Sequence, residues 1–134
     1  MLLLDAEALS AIAHGPRSRR DKVRALIVEM RARELPIATV ASVLAEVVRG
    51  RSADAGVFAG LTRERVQVHP VDTRVGVRAG QLLGRVRAGS KLAVDAFTVA
   101  VADLAGGAIV ATTDAADLER LASHAAHVRI VNIT

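Results

Sequence analysis

The acidic residues carry most of the chemistry in this sequence. Asp95 lies in Lys91-Leu-Ala-Val-Asp-Ala-Phe-Thr-Val-Ala-Val-Ala-Asp103, a segment that reads as a helix with apolar side chains almost all the way round. Val94, Phe97, Val101 and Leu104 take one side and Leu92, Val99 and Ala102 the other, so little circumference is left for solvent. Burying an ionised carboxylate without a partner costs several kcal/mol, so something cationic should meet Asp95. Lys91 at i−4, or the positive end of the helix itself, would do; so would an ion. Asp103 is eight residues on, roughly 12 Å along the axis at about 1.5 Å per residue and about 80° round from Asp95. It is read as a structural, helix-end residue that does not share an ion with Asp95.

Four more acids stand where function is possible. Asp5 follows the apolar run LLL, and Asp114 follows AIVATT. In open parallel sheets the ligand crevice lies beyond the carboxyl ends of strands, which is where both residues fall. Each also has a capping explanation: Asp5 for the helix after it, Asp114 with Asp117 as an acidic capping box for ADLERLA. Glu46 sits in VASVLAEVVRG, off the stripe of Val40, Val43, Leu44, Val47 and Val48, and taken singly reads as a solvated glutamate.

The elements that must position these residues follow from pattern. Short β-branched or apolar runs at Leu2 to Leu4, Pro36 to Thr39, Arg65 to His69, Ala108 to Thr112 and Val128 to Ile133 read as strands. Helical patterns separate them, at about Glu7 to Ala13, Arg17 to Glu34, Val40 to Arg49, Asp72 to Arg87, Leu92 to Ala105 and Ala115 to Ser123, with a weaker one near Asp54 to Leu61. Gly15-Pro16, Gly50, Gly89-Ser90 and Gly106-Gly107 punctuate the pattern, and Ser90 is the expected N-cap of the Asp95 helix. Alternation of this kind predicts an α/β domain with a parallel sheet. At 134 residues the chain suits a single domain over 1–134 with a real core.

Composition narrows the function. Hydrophobic residues make up 51% of the chain but aromatics only 1%, so recognition resting on base stacking by aromatic rings is not expected. The 18 Lys+Arg against 14 Asp+Glu leave a net charge of +4, and sixteen of the bases are Arg, which permits a polyanionic partner. Arg17, Arg19 and Arg20 form one dense run and Arg49 with Arg51 follows the Glu46 helix; such residues neutralise phosphates without reading sequence, or simply coat a solvated face. With no cysteine, disulfides, zinc-thiolate sites and thiol catalysis are out. No apolar run approaches the roughly 18 residues of a membrane span, so no membrane association is expected and the protein is read as soluble and cytoplasmic. His124 and His127 have i,i+3 spacing but no evident third ligand, and His14 and His69 stand alone; all four are read as incidental.

Taken in order, LLLD, AEVVRG, AGQLLGR, DAFTVAVA and TTDAADLERL resemble the PIN-domain ribonucleases, in particular the VapC-type toxins of bacterial toxin-antitoxin pairs. The resemblance spans the whole chain, and its most specific part is DAFTVAVA followed by TTDAADL at the right separation. It implies a PIN-like α/β fold: a five-stranded parallel sheet with helices on both faces, whose first and fourth strands are adjacent, bringing Asp5 beside Asp114. It maps the family's acidic positions onto Asp5, Glu46, Asp95 and Asp114, with Asp117 an additional acid. Where the family usually has Thr or Ser after the first Asp, this chain has Ala6-Glu7, so that hydroxyl is missing or comes from Thr112 or Thr113.

Four carboxylates gathered in one crevice are tenable only when protons or cations neutralise them. An oxygen-only donor set favours a hard ion, Mg²⁺ or Mn²⁺, over zinc. The expectation is therefore a divalent-metal-dependent endoribonuclease. Asp5, Asp95 and Asp114 would ligate directly, Glu46 would act through water, and Asp117 would support a second ion or the first ion's hydration. The resemblance further implies an RNA substrate, a cognate antitoxin protein and a homodimer. Two rival readings are a non-catalytic module of the same fold that binds RNA or protein, and an aspartyl phosphotransferase using Asp5 with Glu7 and Lys91.

Overall fold

The computed structural model describes residues 1–134. Five strands, β1 (Leu2–Leu4), β2 (Ile37–Val40), β3 (Gln67–His69), β4 (Ala108–Thr112) and β5 (Val128–Asn132), form one sheet in the order β3-β2-β1-β4-β5, and every pairing is parallel. Seven helices connect them: α1 (Ala6–Ala13), α2 (Arg17–Ala32), α3 (Ala41–Val47), α4 (Asp54–Arg63), α5 (Thr73–Val86), α6 (Ala93–Leu104) and α7 (Ala115–Ala122). Each parallel pair needs a crossover, which is why strands and helices alternate.

The central strand shows why the sequence must fold this way. Leu2, Leu3 and Leu4 are all fully buried, as a strand covered by helices on both faces requires. Helices α1, α2 and α4 pack on one another as one group and α5, α6 and α7 as a second, so the sheet is sandwiched. Thirty buried apolar residues make one continuous core, built of Leu, Ile, Val and Ala with Met30 and no ring. Small side chains thus supply the packing, as the composition predicts.

Element ends differ from the sequence pattern by a few residues, for local reasons. Glu34 and Arg65 both adopt left-handed backbone, with φ of 57° and 48°. The next residues, Leu35 and Val66, donate back to Met30 and Leu61 at 2.9 Å. This closes α2 and α4 by a turn that satisfies their last carbonyls. Hence α2 stops at Ala32 and β3 begins at Gln67 rather than Arg65. Ser90 does not cap α6: it belongs to a 3₁₀ turn, Ser90–Leu92, and Leu92 occupies the cap position without a side-chain hydrogen bond. The extra turn moves the start of α6 to Ala93 and leaves Asp95 in its first turn, where the helix dipole favours a negative charge.

The order of the sheet fixes where a ligand would go. From β1 the chain builds outward through β2 to β3, then returns to lay β4 on the other side of β1. At that reversal the connections leaving β1 and β4 depart in opposite directions and open a crevice above the strand ends.

Candidate active site

Each acidic side chain reaches this crevice from a different element. β1 and β4 are in register with Leu4 opposite Ala111, and the Asp5 N–H still donates to Ala111 O at 3.2 Å. Asp5 therefore leaves the sheet beside Thr112. Its Oδ1 accepts the Ala8 N–H at 2.9 Å, so it caps α1 while its second oxygen remains for other work. The capping reading of Asp5 holds, and the same side chain also lines the crevice.

At the end of β4, the Thr112 hydroxyl accepts the Asp114 N–H at 3.0 Å. This pins the turn that carries Asp114. Asp114 stands at the N-cap position of α7, but its side chain makes no capping hydrogen bond. Glu46, on the exposed side of α3, and Asp95, in the first turn of α6, complete the set.

Asp5, Glu46, Asp95 and Asp114 line one crevice of about 150 Å³, together with Glu7, Val43, Val94, Thr98, Thr112 and Ala6. No lysine or arginine is among the lining residues. Lys91 is exposed and lies outside it, and Glu7 is turned toward Arg19 at 3.9 Å, so the phosphotransferase arrangement is not assembled. Asp117 stands apart from the other four: its carboxylate pairs with Arg120 at 3.3 Å and does not line the crevice, although its charge is felt at Asp95.

Electrostatics follow from this placement. Burial raises the Asp5 carboxyl to about 6, against the opposing pull of the Thr112 hydroxyl and the Ala8 N–H, with Glu7 and Asp95 adding repulsion. Asp95 is also raised to about 6, first by burial and then by the charges of Glu46, Asp117 and Asp114. No Lys91 contact relieves it. The crevice is thus lined by mutually repelling carboxylates with no cationic side chain among them.

The fit to a divalent ion rests on chemistry rather than on finished geometry. No group of three or more acidic or imidazole side chains stands ready to hold a metal ion between them. The oxygens share a crevice and repel one another across it, but do not yet form a cage. The donor set nonetheless suits a hard ion, because every charged group facing the crevice is a carboxylate and none is a thiolate or imidazole. The histidines are elsewhere: His14 lies against α4 at Gly56, and the His124 carbonyl accepts from Arg78.

Two features escape the sequence reading. Thr98 lines the crevice one turn after Asp95, an i,i+3 relation that shows on paper once α6 is drawn as a helix. Asp103 is tied to Arg78 of α5 at 2.6 Å. Its structural role is as expected, but its partner is set by how α5 packs on α6, and no local spacing announces that.

Fold and crevice together define a parallel α/β domain with an acidic ligand site at its switch point. The chain belongs to the PIN domain family, whose sequence profile matches residues 2–124. PIN domains are generally nucleases that use divalent metal ions. One chain of the crystal structure of VapBC2 from Rickettsia felis bound to a DNA fragment from their promoter is similar in fold. Its TM-score is 0.66 at 16% sequence identity, over 98% of this chain and 97% of that one. Among curated proteins no sequence matches significantly. No helix is long and apolar enough to cross a membrane.

Proposed function

We propose that this protein is a divalent-metal-dependent endoribonuclease, the toxin of a toxin-antitoxin pair. The observation that carries the reading is the meeting of Asp5, Glu46, Asp95 and Asp114, from four separate segments, in one crevice with no cationic side chain. Family membership and likeness to a chain of a VapBC complex support the same direction.

In this reading Asp5, Asp95 and Asp114 hold Mg²⁺ or Mn²⁺. Such an ion would supply a bound water of lowered pKa and positive charge to offset that developing on the phosphoryl group and the leaving oxygen. Rotation of exposed side chains, Glu46 and Asp114 above all, closes the donor set. Glu46 orients the attacking water or accepts its proton, and Asp117, released from Arg120, supports the hydration shell or a second ion. The Thr112 hydroxyl, in place of the one absent at Ala6, holds the Asp114 turn and steadies Asp5.

An antitoxin is the partner, which would cover the crevice and neutralise it. A second copy of the chain is also a partner in this proposal, through the α5–α6 face where Val77 and Leu104 are bare, 57% and 37% exposed. Light scattering on the purified chain, with Val77→Asp as the disrupting variant, tests that face.

The deciding experiment is cleavage of an RNA pool by purified protein with Mg²⁺ or Mn²⁺, against EDTA, Asp95→Asn and Asp5→Asn. Cutting should require the ion and both aspartates, with folding retained by circular dichroism. Undiminished cutting by either variant removes that residue from the mechanism. A wild-type protein that binds RNA but never cuts it makes the chain a non-catalytic module.

A further inference from the structure

We infer that the loop Arg49-Gly50-Arg51 is a clamp for the phosphodiester backbone of the RNA strand, and that Asp54 is the positioning residue that sets it. The inference rests on the ribonuclease reading and names where its substrate is gripped.

The loop leaves α3 three residues after Glu46, whose side chain lines the crevice. Three residues span at most about 10 Å, so the loop stands within one or two nucleotides of the acidic site. Its backbone is organised by a single carboxylate. Asp54 accepts the Arg49 N–H at 3.1 and 3.2 Å, the Gly50 N–H at 2.7 Å and the Arg51 N–H at 3.0 Å. Asp54 is itself only 8% exposed and opens α4, which packs on α1 and so ties the loop to the helix that starts at Asp5. Gly50 supplies the left-handed backbone, φ 72°, that lets three consecutive N–H groups point at one anion; nothing lies within 4 Å of where its Cβ would be, so the glycine serves the turn and not close packing.

The arrangement has a directional result. The loop's amide donors are all consumed inward by Asp54, so a substrate phosphate finds none of them. What the loop leaves exposed is two guanidinium groups, that of Arg51 near enough for its charge to be felt at Asp54. Arg49 and Arg51 are both exposed, and neither side chain makes a hydrogen bond or an ion pair. In the other basic run, Arg17 lies 3.7 Å from Asp21 and Arg19 is 3.9 Å from Glu7, while Arg20 has no ion pair but is half-buried, with its Nε shielded from solvent. The structure thereby separates two basic stretches that look equivalent in the sequence. Phosphate contacts of this type position a strand without reading its bases.

The test is binding of a single-stranded oligoribonucleotide in EDTA, where the absence of metal prevents cutting, followed by fluorescence anisotropy across a salt series. Two phosphate contacts contribute about 1.4 to the slope of log affinity against log salt for a single strand. Arg49→Gln with Arg51→Gln should lower the slope by about that amount and weaken binding about tenfold at low salt. Asp54→Ala should shift binding the same way, Asp54→Asn should restore part of it, and Asp54→Ala should add nothing where both arginines are already gone. In cleavage assays the loss should appear in KM. A wild-type slope in the double arginine variant overturns the clamp, and both arginines are exposed, so that variant should fold. An Asp54→Ala effect that persists undiminished without the arginines overturns the positioning role. Because the binding assay involves no turnover, RNA held by the wild-type protein but never cut sinks the nuclease reading while leaving the clamp intact.

Discussion

Two sets of carboxylates in this molecule live under opposite conditions. Asp103 is held by Arg78 at 2.6 Å, Glu64 lies 3.4 Å from both Arg31 and Arg63, and the Asp54 carboxyl is lowered by the N–H groups of Arg49, Arg51 and Gly50. Asp5 and Asp95, both half-buried, have no cationic partner and are raised to about 6. The first set is satisfied by the fold. The second is left unsatisfied by it, and a fold with sixteen arginines had ample means to do otherwise. An unpaired buried charge costs stability, so its persistence in a cluster points to a ligand outside the chain.

The sharpest way to break this comparison is through activity. Asp95→Asn keeps the shape and removes the charge, and should lower kcat for RNA cleavage at least about a hundredfold, the scale of losing one charge-stabilising group at a reacting centre. Asp103→Asn, eight residues along the same helix, should leave cleavage within about twofold, since its carboxylate faces Arg78 and not the crevice. Equal losses in the two variants, read from initial rates on one RNA substrate, would erase the distinction between the sets.

Metal should act on one set alone. If Mg²⁺ or Mn²⁺ neutralises the crevice, an ion at about one hundred times its dissociation constant stabilises the wild-type fold by about 2.7 kcal/mol. Calorimetry should show the melting temperature rising with ion concentration for the wild-type chain and for Asp103→Asn, and hardly at all for Asp95→Asn. A rise that survives in Asp95→Asn places the ion elsewhere.

The same logic makes the crevice a cost when the ion is absent. A carboxyl whose folded pKa is raised binds more protons folded than unfolded, so its contribution to stability is most favourable at low pH. It declines as pH rises from about 4 through about 6 and is flat above. Metal-free Asp5→Asn, which keeps a good N-cap for α1, should lose that slope and be more stable than wild type at pH 7.5 by up to about 3 kcal/mol. Asp95→Asn should gain less, because that side chain is closer to solvent. Metal binding and cleavage need the ionised forms and should therefore rise over the window in which metal-free stability falls. Urea unfolding at pH 5 and 7.5 measures the first part; a destabilised Asp5→Asn protein at the higher pH would refute it.

How much of this was legible beforehand depends on the range of the interactions involved. The five strands and the helix order are legible in the sequence, because burial on both faces of a parallel sheet writes itself as short apolar runs, and the resemblance supplies the adjacency of the first and fourth strands, while the rest of the strand order comes from the structure. Asp5, Glu46, Asp95 and Asp114 were named for the crevice and all four line it. Asp117 was grouped with them, but its pairing with Arg120 at i+3 sets it at the margin. Ser90 opens a 3₁₀ turn and not α6, a difference the sequence hides because both kinds of helix start favour the same residues. Asp54 was read only as the start of a weak helix. Nothing in its own neighbourhood shows that three amides of the preceding loop fold back on it, since that depends on Gly50 taking a positive φ.

The smallest expected effect tests the satisfied set from within. Asp103 lies in the last turn of α6, where the helix dipole disfavours a negative charge, and Arg78 offsets that while also donating to the His124 carbonyl at 3.0 Å. The pair is therefore unequal. Losing Asp103 removes an attraction but also a charge at an unfavourable helix end, whereas losing Arg78 strands a half-buried carboxylate and a carbonyl together. Arg78→Met should destabilise the chain by about 1–2 kcal/mol, and Asp103→Asn by roughly half as much. Urea unfolding at fixed pH ranks them. If Asp103→Asn proves the more damaging, the pair's stability comes from Asp103 itself, and a satisfied carboxylate in this fold contributes more than the neutralisation of its own charge.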